Sequence, residues 1–272
     1  MSNVRYYTVD PPAALADYVR SFWAFEMDLP EEQPYVYRSM ADACTEMVFH
    51  YKGRFDNADG PQLKPEPLSM MHAQTQRYRR FITKGSFGIF GVYLYPFAVP
   101  RLLSVSSAEL TDQMPDLHTL LGAEGAELEE RMLHALDNRQ RMVILSNYLL
   151  KRLQQQKEAP AVIRTAIKTA IQANGLINIP SFTEQFYLSS RQFERRFKEQ
   201  SGFTLKTYCR ILRFHSALNE YGNKAISLTD LAYQCGYYDQ SHFINDFKQF
   251  SGYTPKEYFR GNAEGAEYRE VE

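Results

Sequence analysis

The chain contains 272 residues, which is enough for two domains of ordinary size. Hydrophobic residues make up 44% of the sequence and charged residues 23%, a composition that excludes global disorder and predicts packed cores. The N-terminus lacks a basic segment followed by an apolar run, and no stretch approaches the roughly 20 apolar residues of a membrane helix. The sequence therefore predicts a cytoplasmic protein that does not interact with membranes.

The net charge of −1 conceals an uneven distribution of charged residues. Lys and Arg number 17 against 20 Asp and Glu in residues 1–159, 13 against 8 in residues 160–260, and 1 against 4 in the remainder. Residues 160–260 are thus the basic part of the chain. A positive region is typical of a nucleic-acid binder, although an ordinary solvated surface can also carry this excess.

The N-terminal part combines one helical pattern with several strand patterns. Leu15 and Phe22 belong to a set of apolar residues at helical spacing, so residues 11–25 are predicted to form a helix. Residues 45–51 alternate polar and apolar side chains, and residues 87–94 form a second aromatic and β-branched run, which predicts two strands. The polar segment between them contains Pro and Gly and indicates a loop. We expect a small antiparallel sheet or a partial, cupin-like barrel.

After Pro100 the apolar residues recur at helical spacing, and this pattern continues to residue 155. The segment QQQKEAP (154–160) is polar, ends in a helix breaker and lies where the charge changes sign, so we place a domain boundary there. The sequence then predicts an α+β protein. Its parts are a β-rich N-terminal domain (1–155) with trailing helices (108–155), an all-α domain (156–262) and an acidic tail (263–272).

Two segments of the all-α domain carry the same pattern fifty residues apart. FERRFKEQSGFTLKTY starts at Phe193 and FINDFKQFSGYTPKEY at Phe243, and eight of 18 positions are identical between residues 191–208 and 241–258. The shared positions include two Phe residues at i and i+4, a glycine and a capping Thr, which all belong to a helical scaffold. A shorter helical pattern precedes each copy. The sequence thus predicts two helix-turn-helix units, in which the second helix enters the major groove of DNA.

The C-terminal domain resembles the DNA-binding domain of the AraC/XylS family of bacterial transcription regulators, in which a long helix joins two helix-turn-helix modules. In the first module the matching residues are Leu188, Ser189, Phe193, Phe197, Lys198, Gly202, Tyr208, Arg213 and Ala217. In the second they are Leu231, Ala232, Gly236, Tyr237, Gln240, Ser241, His242, Phe243, Phe247, Lys248, Gly252, Tyr253, Thr254, Pro255 and Tyr258. The resemblance implies a sequence-specific regulator that binds double-stranded DNA, an activator of transcription, with no cofactor.

The resemblance also implies which residues contact DNA. Those implied for base contacts lie on the second helix of each module: Arg191, Gln192, Glu194, Arg195, Gln240, Ser241, His242 and Asn245. Arg suits guanine, Gln and Asn suit adenine, and Glu suits cytosine. Candidates for phosphate contacts, which could equally be solvated side chains, are Arg196, Lys198, Lys206, Arg210 and Lys248. We expect the two helices to enter successive major grooves about 10 base pairs apart.

Two positions depart from the family pattern. Thr183 stands where a small Ala is usual, and its methyl group can occupy a similar space. The pair Asn245 and Asp246 stands where a basic residue is common. Asp246 either places a carboxylate near phosphate and weakens the second module, or points away from DNA. Because of this pair we expect the first module to dominate.

The N-terminal part resembles, through spaced patterns rather than a signature, a sensor-like domain of AraC-type regulators whose ligand is unassigned. This resemblance implies a β-rich domain that binds a small-molecule effector or joins two copies of the chain as a homodimer. The resemblance to this family also implies RNA polymerase as a further partner. Five aromatic residues could line an effector pocket or simply form the core: Trp23, Tyr37, Phe49, Tyr51 and Tyr93.

The sequence offers no motif for catalysis or metal binding. It contains neither a Gly-rich phosphate loop nor a GxSxG elbow nor HExxH. Cys44, Cys209 and Cys235 form no CxxC pair, so we expect them to be reduced and buried. Glu46 and His50 share a strand face but lack metal-ligand spacing. We therefore expect neither an enzyme nor a metal site.

Two functional hypotheses stay open at this point. The first is a DNA-binding transcription regulator whose N-terminal domain senses an effector or dimerises. The second is a ligand-binding or enzymatic N-terminal domain with the C-terminal repeat used as a protein-interaction module. Asp246, the acidic tail and the near-neutral total charge favour it. Affinity that falls steeply with salt concentration distinguishes the first from the second.

Overall fold

A computed structural model describes residues 3–156, 161–220, 226–260 and 263 of the chain. Strands make up the N-terminal part and helices the C-terminal part, which confirms the α+β class. The strands are β1 (Asn3–Val9), β2 (Val19–Asp28), β3 (Pro34–Ser39), β4 (Thr45–Lys52), β5 (Asp56–Asn57), β6 (Lys64–Pro65), β7 (Ser69–His72), β8 (Arg79–Lys84) and β9 (Phe87–Leu94). Strands β4 and β9 confirm the two strands predicted from the sequence.

The strands pair antiparallel and form two sheets, with the orders β1-β2-β9-β4-β7 and β3-β8-β5-β6. Side chains alternate along a strand, so the first sheet has two different faces. One face packs against the helices through residues such as Phe22 and Phe90. The other packs against the second sheet through residues such as Trp23 and Ile89. In the part of the chain that is described, these strands do not close into a single barrel.

The helix predicted for residues 11–25 is wrong. Residues 13–18 form turns, and strand β2 begins at Val19. This strand is covered on both sides, because Phe22 faces the helices while Trp23 faces the second sheet. A strand buried on both sides is apolar at consecutive positions, and hydrophobic periodicity cannot distinguish such a run from a buried helix.

Helices begin directly after the last strand, which confirms the helical pattern predicted after Pro100. A 3₁₀ turn (Pro96–Ala98) leads into them. The helices are α1 (Val99–Leu103), α2 (Ser107–Leu110), α3 (Leu117–Leu121), α4 (Ala123–Leu133), α5 (Asn138–Gln155), α6 (Ala161–Gln172), α7 (Ile179–Glu184), α8 (Ser190–Ser201), α9 (Leu205–Leu218), α10 (Leu228–Gln234), α11 (Gln240–Ser251) and α12 (Pro255–Phe259). Among the described helices, none is both long and apolar enough to cross a lipid bilayer. The end of the predicted linker (157–160) and the acidic tail from residue 264 lie outside the described residues.

The sheets and the C-terminal helices share one continuous hydrophobic core. Phe49 of the first sheet belongs to the same cluster as Phe197 of α8 and Phe247 of α11. An ion pair reinforces this contact, since Lys168 Nζ of α6 lies 2.6 Å from Asp17 Oδ1. The C-terminal domain is therefore packed against the N-terminal domain, with direct contacts as well as the linker between them.

Candidate nucleic-acid interface

The first helix-turn-helix module consists of α7, a turn and α8. Ser189 caps α8 in a capping box: its hydroxyl accepts the backbone N–H of Gln192 at 3.3 Å, and the Gln192 side chain accepts the N–H of Ser189. The inner side of α8 buries Phe193 and Phe197 completely. Gly202 ends the helix in the left-handed region, with φ of 82°. Gly202 thus belongs to the helical scaffold, as the repeated pattern predicts.

The second module repeats this arrangement with α10 and α11. Asp239 caps α11 by accepting the backbone N–H of His242 at 2.7 Å. Phe243 and Phe247 are completely buried, and Gly252 ends the helix with φ of 77°. Helix α9 joins the two modules. The order and the caps of these helices confirm the predicted double helix-turn-helix.

Helices α8 and α11, the two recognition helices, carry the residues predicted to contact bases. Six of these eight residues are exposed, while Glu194 and Gln240 are partly buried. The exposed residues are Arg191, Gln192, Arg195, Ser241, His242 and Asn245. All six lie within the first six residues of their helix, which is the part that contacts base edges in helix-turn-helix proteins.

Two of the eight side chains, Gln192 and Gln240, form hydrogen bonds within the protein, and a third, Glu194, is partly buried. Gln192 takes part in the capping box, and Gln240 Oε1 lies 3.5 Å from the hydroxyl of Thr229. One carboxylate oxygen of Glu194 is buried and has no hydrogen-bond partner among the described residues. These three are less available to DNA than the exposed arginines of α8.

The residues suggested for phosphate contacts divide into two groups. Lys198, Lys206 and Lys248 are exposed, and Arg196 is partly exposed. Their cationic groups can reach a DNA backbone that lies across the recognition helices. Arg210 differs from all of them.

Arg210 of α9 forms a two-pronged ion pair with Asp246 of α11. The distances are 3.1 Å from Nε to Oδ2 and 2.6 Å from Nη2 to Oδ1, and Asp246 is only 2% exposed. The hydrogen bond to Asp246 raises the pKa of Arg210. This pairing uses Nε and Nη2 of Arg210, so its guanidinium is less available to DNA than the other four candidates, and its contact with phosphate stays a prediction. It also shows that Asp246 points into the domain, which is the second of the two alternatives for this residue, while the dominance of the first module stays a prediction.

Sequence reasoning missed two tyrosines that lie in the turns of the two modules. Tyr187 is 97% exposed and lies three residues before α8, and Tyr238 is 87% exposed and lies two residues before α11. Tyr hydroxyls commonly donate to phosphate oxygens in protein–DNA complexes. A large aromatic residue in a polar turn, away from any core, is the signal that could have identified them.

A narrow cavity of about 30 Å³ lies between the two sheets of the N-terminal domain. Trp23 and Tyr37, two of the five aromatic residues predicted for an effector pocket, line it. Glu46, His50 and His72 also contribute to its wall. A volume of this size holds about two water molecules, because one water needs about 10–15 Å³.

The other three aromatic residues predicted for the pocket lie elsewhere. Phe49 and Tyr51 belong to the face of the first sheet that packs against the helices, because side chains alternate along β4. The hydroxyl of Tyr51 donates to a carboxylate oxygen of Glu26. Tyr93 packs against Trp23, with ring centroids 5.9 Å apart. The structure therefore brings together only part of the predicted set.

The wall of the cavity contains four ionisable side chains, those of Glu46, His50, Glu66 and His72, among apolar ones. Burial lowers the pKa of His50 to about 4 and the pKa of His72 to about 3, and it raises the pKa of Glu46 well above its usual value. Trp23 Nε1 and His50 Nδ1 are buried without a hydrogen-bond partner among the described residues. A water molecule or a ligand in the cavity can satisfy these two nitrogen atoms. The described part of the chain contains no group of three His, Cys, Asp or Glu residues that could hold a metal ion.

Comparisons with known proteins distinguish the two ends of the chain. Residues 7–116 match a family described as "Domain of unknown function (DUF6597)", and residues 182–261 match one described as "Helix-turn-helix domain". A stretch of 85 residues, 31% of this chain, is 34% identical to the HTH-type transcriptional activator RhaS of Escherichia coli (strain SE11). The match spans 31% of the length of that relative.

Two solved structures give a weaker overall similarity. ToxT from Vibrio cholerae superposes with a TM-score of 0.48 and 11% identity, over 95% of this chain and 98% of that one. The xylose-binding transcription activator xylR superposes with a TM-score of 0.32 and 23% identity, over 46% of this chain and 40% of that one.

The geometry of α7 to α12, together with the family match over residues 182–261, defines a double helix-turn-helix domain. The match to the activator RhaS lies in the same part of the chain and agrees with the resemblance to AraC/XylS regulators that the repeated motif carries.

Proposed function

We propose that this protein is a sequence-specific, DNA-binding transcription regulator that inserts α8 and α11 into successive major grooves. The observation that carries the proposal is the arrangement of the two helices. Each buries a phenylalanine pair on its inner side and exposes polar side chains in its first six residues. Helix α9 joins both modules, so one chain carries two recognition helices.

The exposed side chains fit the edges of particular base pairs. Arg191 and Arg195 can each donate two hydrogen bonds to guanine, and Asn245 can pair with adenine in the same way. The two helices differ at these positions, so we expect one chain to bind an asymmetric site. Its two halves should lie about 10 base pairs apart, which is one turn of the duplex.

Selection of binding sites from a random duplex library tests this proposal, followed by fluorescence-anisotropy titrations at two salt concentrations. A DNA-binding regulator should select one sequence motif and lose affinity linearly in log salt, because it displaces counterions from phosphates. A protein-interaction module, the alternative hypothesis, should select no motif. The match of residues 182–261 to a helix-turn-helix family does not favour that alternative.

A substitution at the reading surface provides the sharper test. We expect Arg191→Ala to lower the affinity for the selected site about 10- to 100-fold, since a bidentate base contact contributes about 1–3 kcal/mol. The melting temperature should stay unchanged because Arg191 is exposed. Arg139→Ala, which removes the same charge from an exposed position of α5, is the matched control. Equal affinities of both variants would contradict the assigned surface.

We infer that the cavity between the sheets is the place where a small, uncharged effector binds. The unpaired Trp23 Nε1 and His50 Nδ1 atoms support this, because they offer hydrogen bonds to a ligand inside a wall of mixed apolar and polar side chains. A ligand larger than two water molecules must widen the cavity. Trp23 is the only tryptophan of the chain, so its fluorescence reports on the site directly.

Titration with phenol, a flat molecule with one hydroxyl group, provides a first measurement. We expect a saturable change in Trp23 emission in the wild-type protein and a weaker one in a His50→Leu variant. A linear change of equal size in both proteins would indicate collisional quenching, and the cavity would then be a site for water alone.

A further inference from the structure

The two recognition helices end on the N-terminal domain at equivalent positions. Gly202 closes α8 and Gly252 closes α11, and these glycines align in the fifty-residue repeat. Each helix therefore has an N-terminal half that exposes most of the predicted base contacts and a C-terminal end in contact with the other domain. Helix α9 is thus not the only connection between the two readers.

At the first module, side chains of the N-terminal domain hold the end of α8, Thr111 directly and Gln74 through its hydrogen bond to Thr111. The hydroxyl of Thr111 lies 3.1 Å from the carbonyl oxygen of Gly202 and 3.0 Å from Nε2 of Gln74. Gln74 is fully buried, and its amide also donates to the Ser107 carbonyl at 2.5 Å. Ser106 adds a bond from its hydroxyl to the carbonyl of Glu199 at 3.1 Å.

At the second module, Arg38 has the corresponding place. Its Nη1 donates to the carbonyl oxygen of Ser251 at 3.4 Å, and its guanidinium lies over the ring of Tyr253 at 3.8 Å from the centroid. The same guanidinium also lies 5.1 Å from the centroid of the Tyr78 ring. The backbone N–H of Ala41 donates to the Phe250 carbonyl at 2.8 Å.

The close approach depends on glycine at both helix ends. A Cβ atom on Gly252 would lie 2.7 Å from Arg38 Nη1 and from the ring of Tyr78. A Cβ atom on Gly202 would collide with the amide of Gln74. Both glycines also have positive φ. Glycine is therefore favoured at these positions for two reasons, the left-handed backbone at the helix end and the close contact with the N-terminal domain.

The contact residues are neighbours of the cavity wall in the sequence. Tyr37 lines the cavity and Arg38 follows it on β3. His72 lines the cavity at the end of β7, and Gln74 lies two residues later. A change in the cavity would therefore reach both helix ends over one or two residues of chain.

We propose that Arg38, Gln74 and Thr111 are positioning residues that brace the two recognition helices against each other through the N-terminal domain. This inference rests on the proposed function. These contacts fix the separation of α8 and α11. The full-length protein should therefore bind best to DNA whose two half-sites have one particular spacing. An effector in the cavity would act by changing that distance.

The test compares two duplexes, the selected site and the same site with one base pair inserted between its halves. One base pair moves a half-site by about 3.4 Å along the duplex and turns it by about 35°. We expect the wild-type chain to bind the inserted duplex at least about 10-fold more weakly. A rigid protein cannot contact both half-sites at the altered spacing, so it loses the base contacts of one of them. The full-length protein is used throughout.

Arg38→Met and Thr111→Val each remove one contact while keeping the volume of the side chain. Both should lower the affinity for the selected site and reduce the penalty for the inserted base pair to about threefold or less, since a loosened reader adapts to either spacing. Arg139→Met makes the same change as the first variant on the exposed surface of α5 and should behave like the wild type. Loss of stability alone would lower both affinities equally and leave their ratio unchanged.

The outcomes separate this inference from the function on which it rests. Unchanged ratios in both folded variants would overturn the brace while the DNA-binding function stands. If the wild-type protein bound neither the selected site nor the site with the inserted base pair, this result would overturn the proposed function and the brace together. Circular dichroism of each variant establishes that it is folded before binding is measured.

Discussion

The first module, built from α7 and α8, buries Phe193 and Phe197, and the second, built from α10 and α11, buries Phe243 and Phe247 at the equivalent positions. The modules differ at the residue directly before the second phenylalanine of each pair. Arg196 of α8 is partly exposed, whereas the aligned Asp246 of α11 is buried and paired with Arg210 of the connecting helix.

This difference shows that the variable positions of the repeat serve two purposes. Some, such as Arg191 and Ser241, face outward and are free to differ because each module can contact its own bases. Others differ because the modules have different neighbours inside the protein. Asp246 is of this second kind, because its carboxylate is buried against Arg210 and does not lie among the exposed side chains of α11. We therefore expect both modules to contact DNA.

The largest expected effect tests the scaffold that the modules share. Phe197→Ala and Phe247→Ala should each lower the free energy of unfolding by about 3–5 kcal/mol, since both rings are completely buried and leave a cavity. Urea unfolding followed by far-UV circular dichroism measures this change. A loss below about 1 kcal/mol in one variant alone would show that the two scaffolds are not equivalent.

A smaller effect tests the position at which the modules differ. Asp246→Ala should lower the free energy of unfolding by about 1–3 kcal/mol, because it leaves the partly buried Arg210 without its carboxylate. Arg196→Ala at the aligned position of the first module should change it by less than about 0.5 kcal/mol. The same urea experiment compares the two variants. If they were equally stable, the ion pair would not support α11.

The smallest effect tests whether both modules touch the DNA backbone. Lys198 and Lys248 align in the repeat, and both are exposed. Replacing either by Ala should reduce the slope of log affinity against log salt by about one, the contribution of one phosphate contact. Anisotropy titrations over a range of salt concentrations give these slopes. A change with Lys198→Ala alone would mean that the first module binds and the second does not.

The helical domain could be predicted in detail because its signals are local. Ser189, Gly202 and Gly252 mark helix ends within a few residues of the phenylalanines that they accompany, so the repeat indicates both modules. The ion pair of Arg210 and Asp246 could not be predicted in this way. It joins residues 36 positions apart on two helices, and no local pattern indicates which side of α11 faces α9.

The N-terminal domain was harder to predict for a different reason. Strand β2 is buried on both faces, so its apolar pattern resembles that of a helix. The predicted effector pocket mixed residues from two faces of one sheet, since Phe49 and the cavity residue His50 are neighbours on β4. Alternation along the strand indicates that these two residues face apart. Which of the two faces encloses a cavity depends on the second sheet, and only the fold shows this.

A footprint on the selected DNA site tests the central claim most directly. Hydroxyl-radical cleavage and guanine-methylation interference, carried out with the full-length protein, show which grooves are occupied. If α8 and α11 both read DNA, two protected segments should lie on one face of the duplex, with centres about 10 base pairs apart. A single protected segment, or interference in only one major groove, would contradict the account of two readers on one chain.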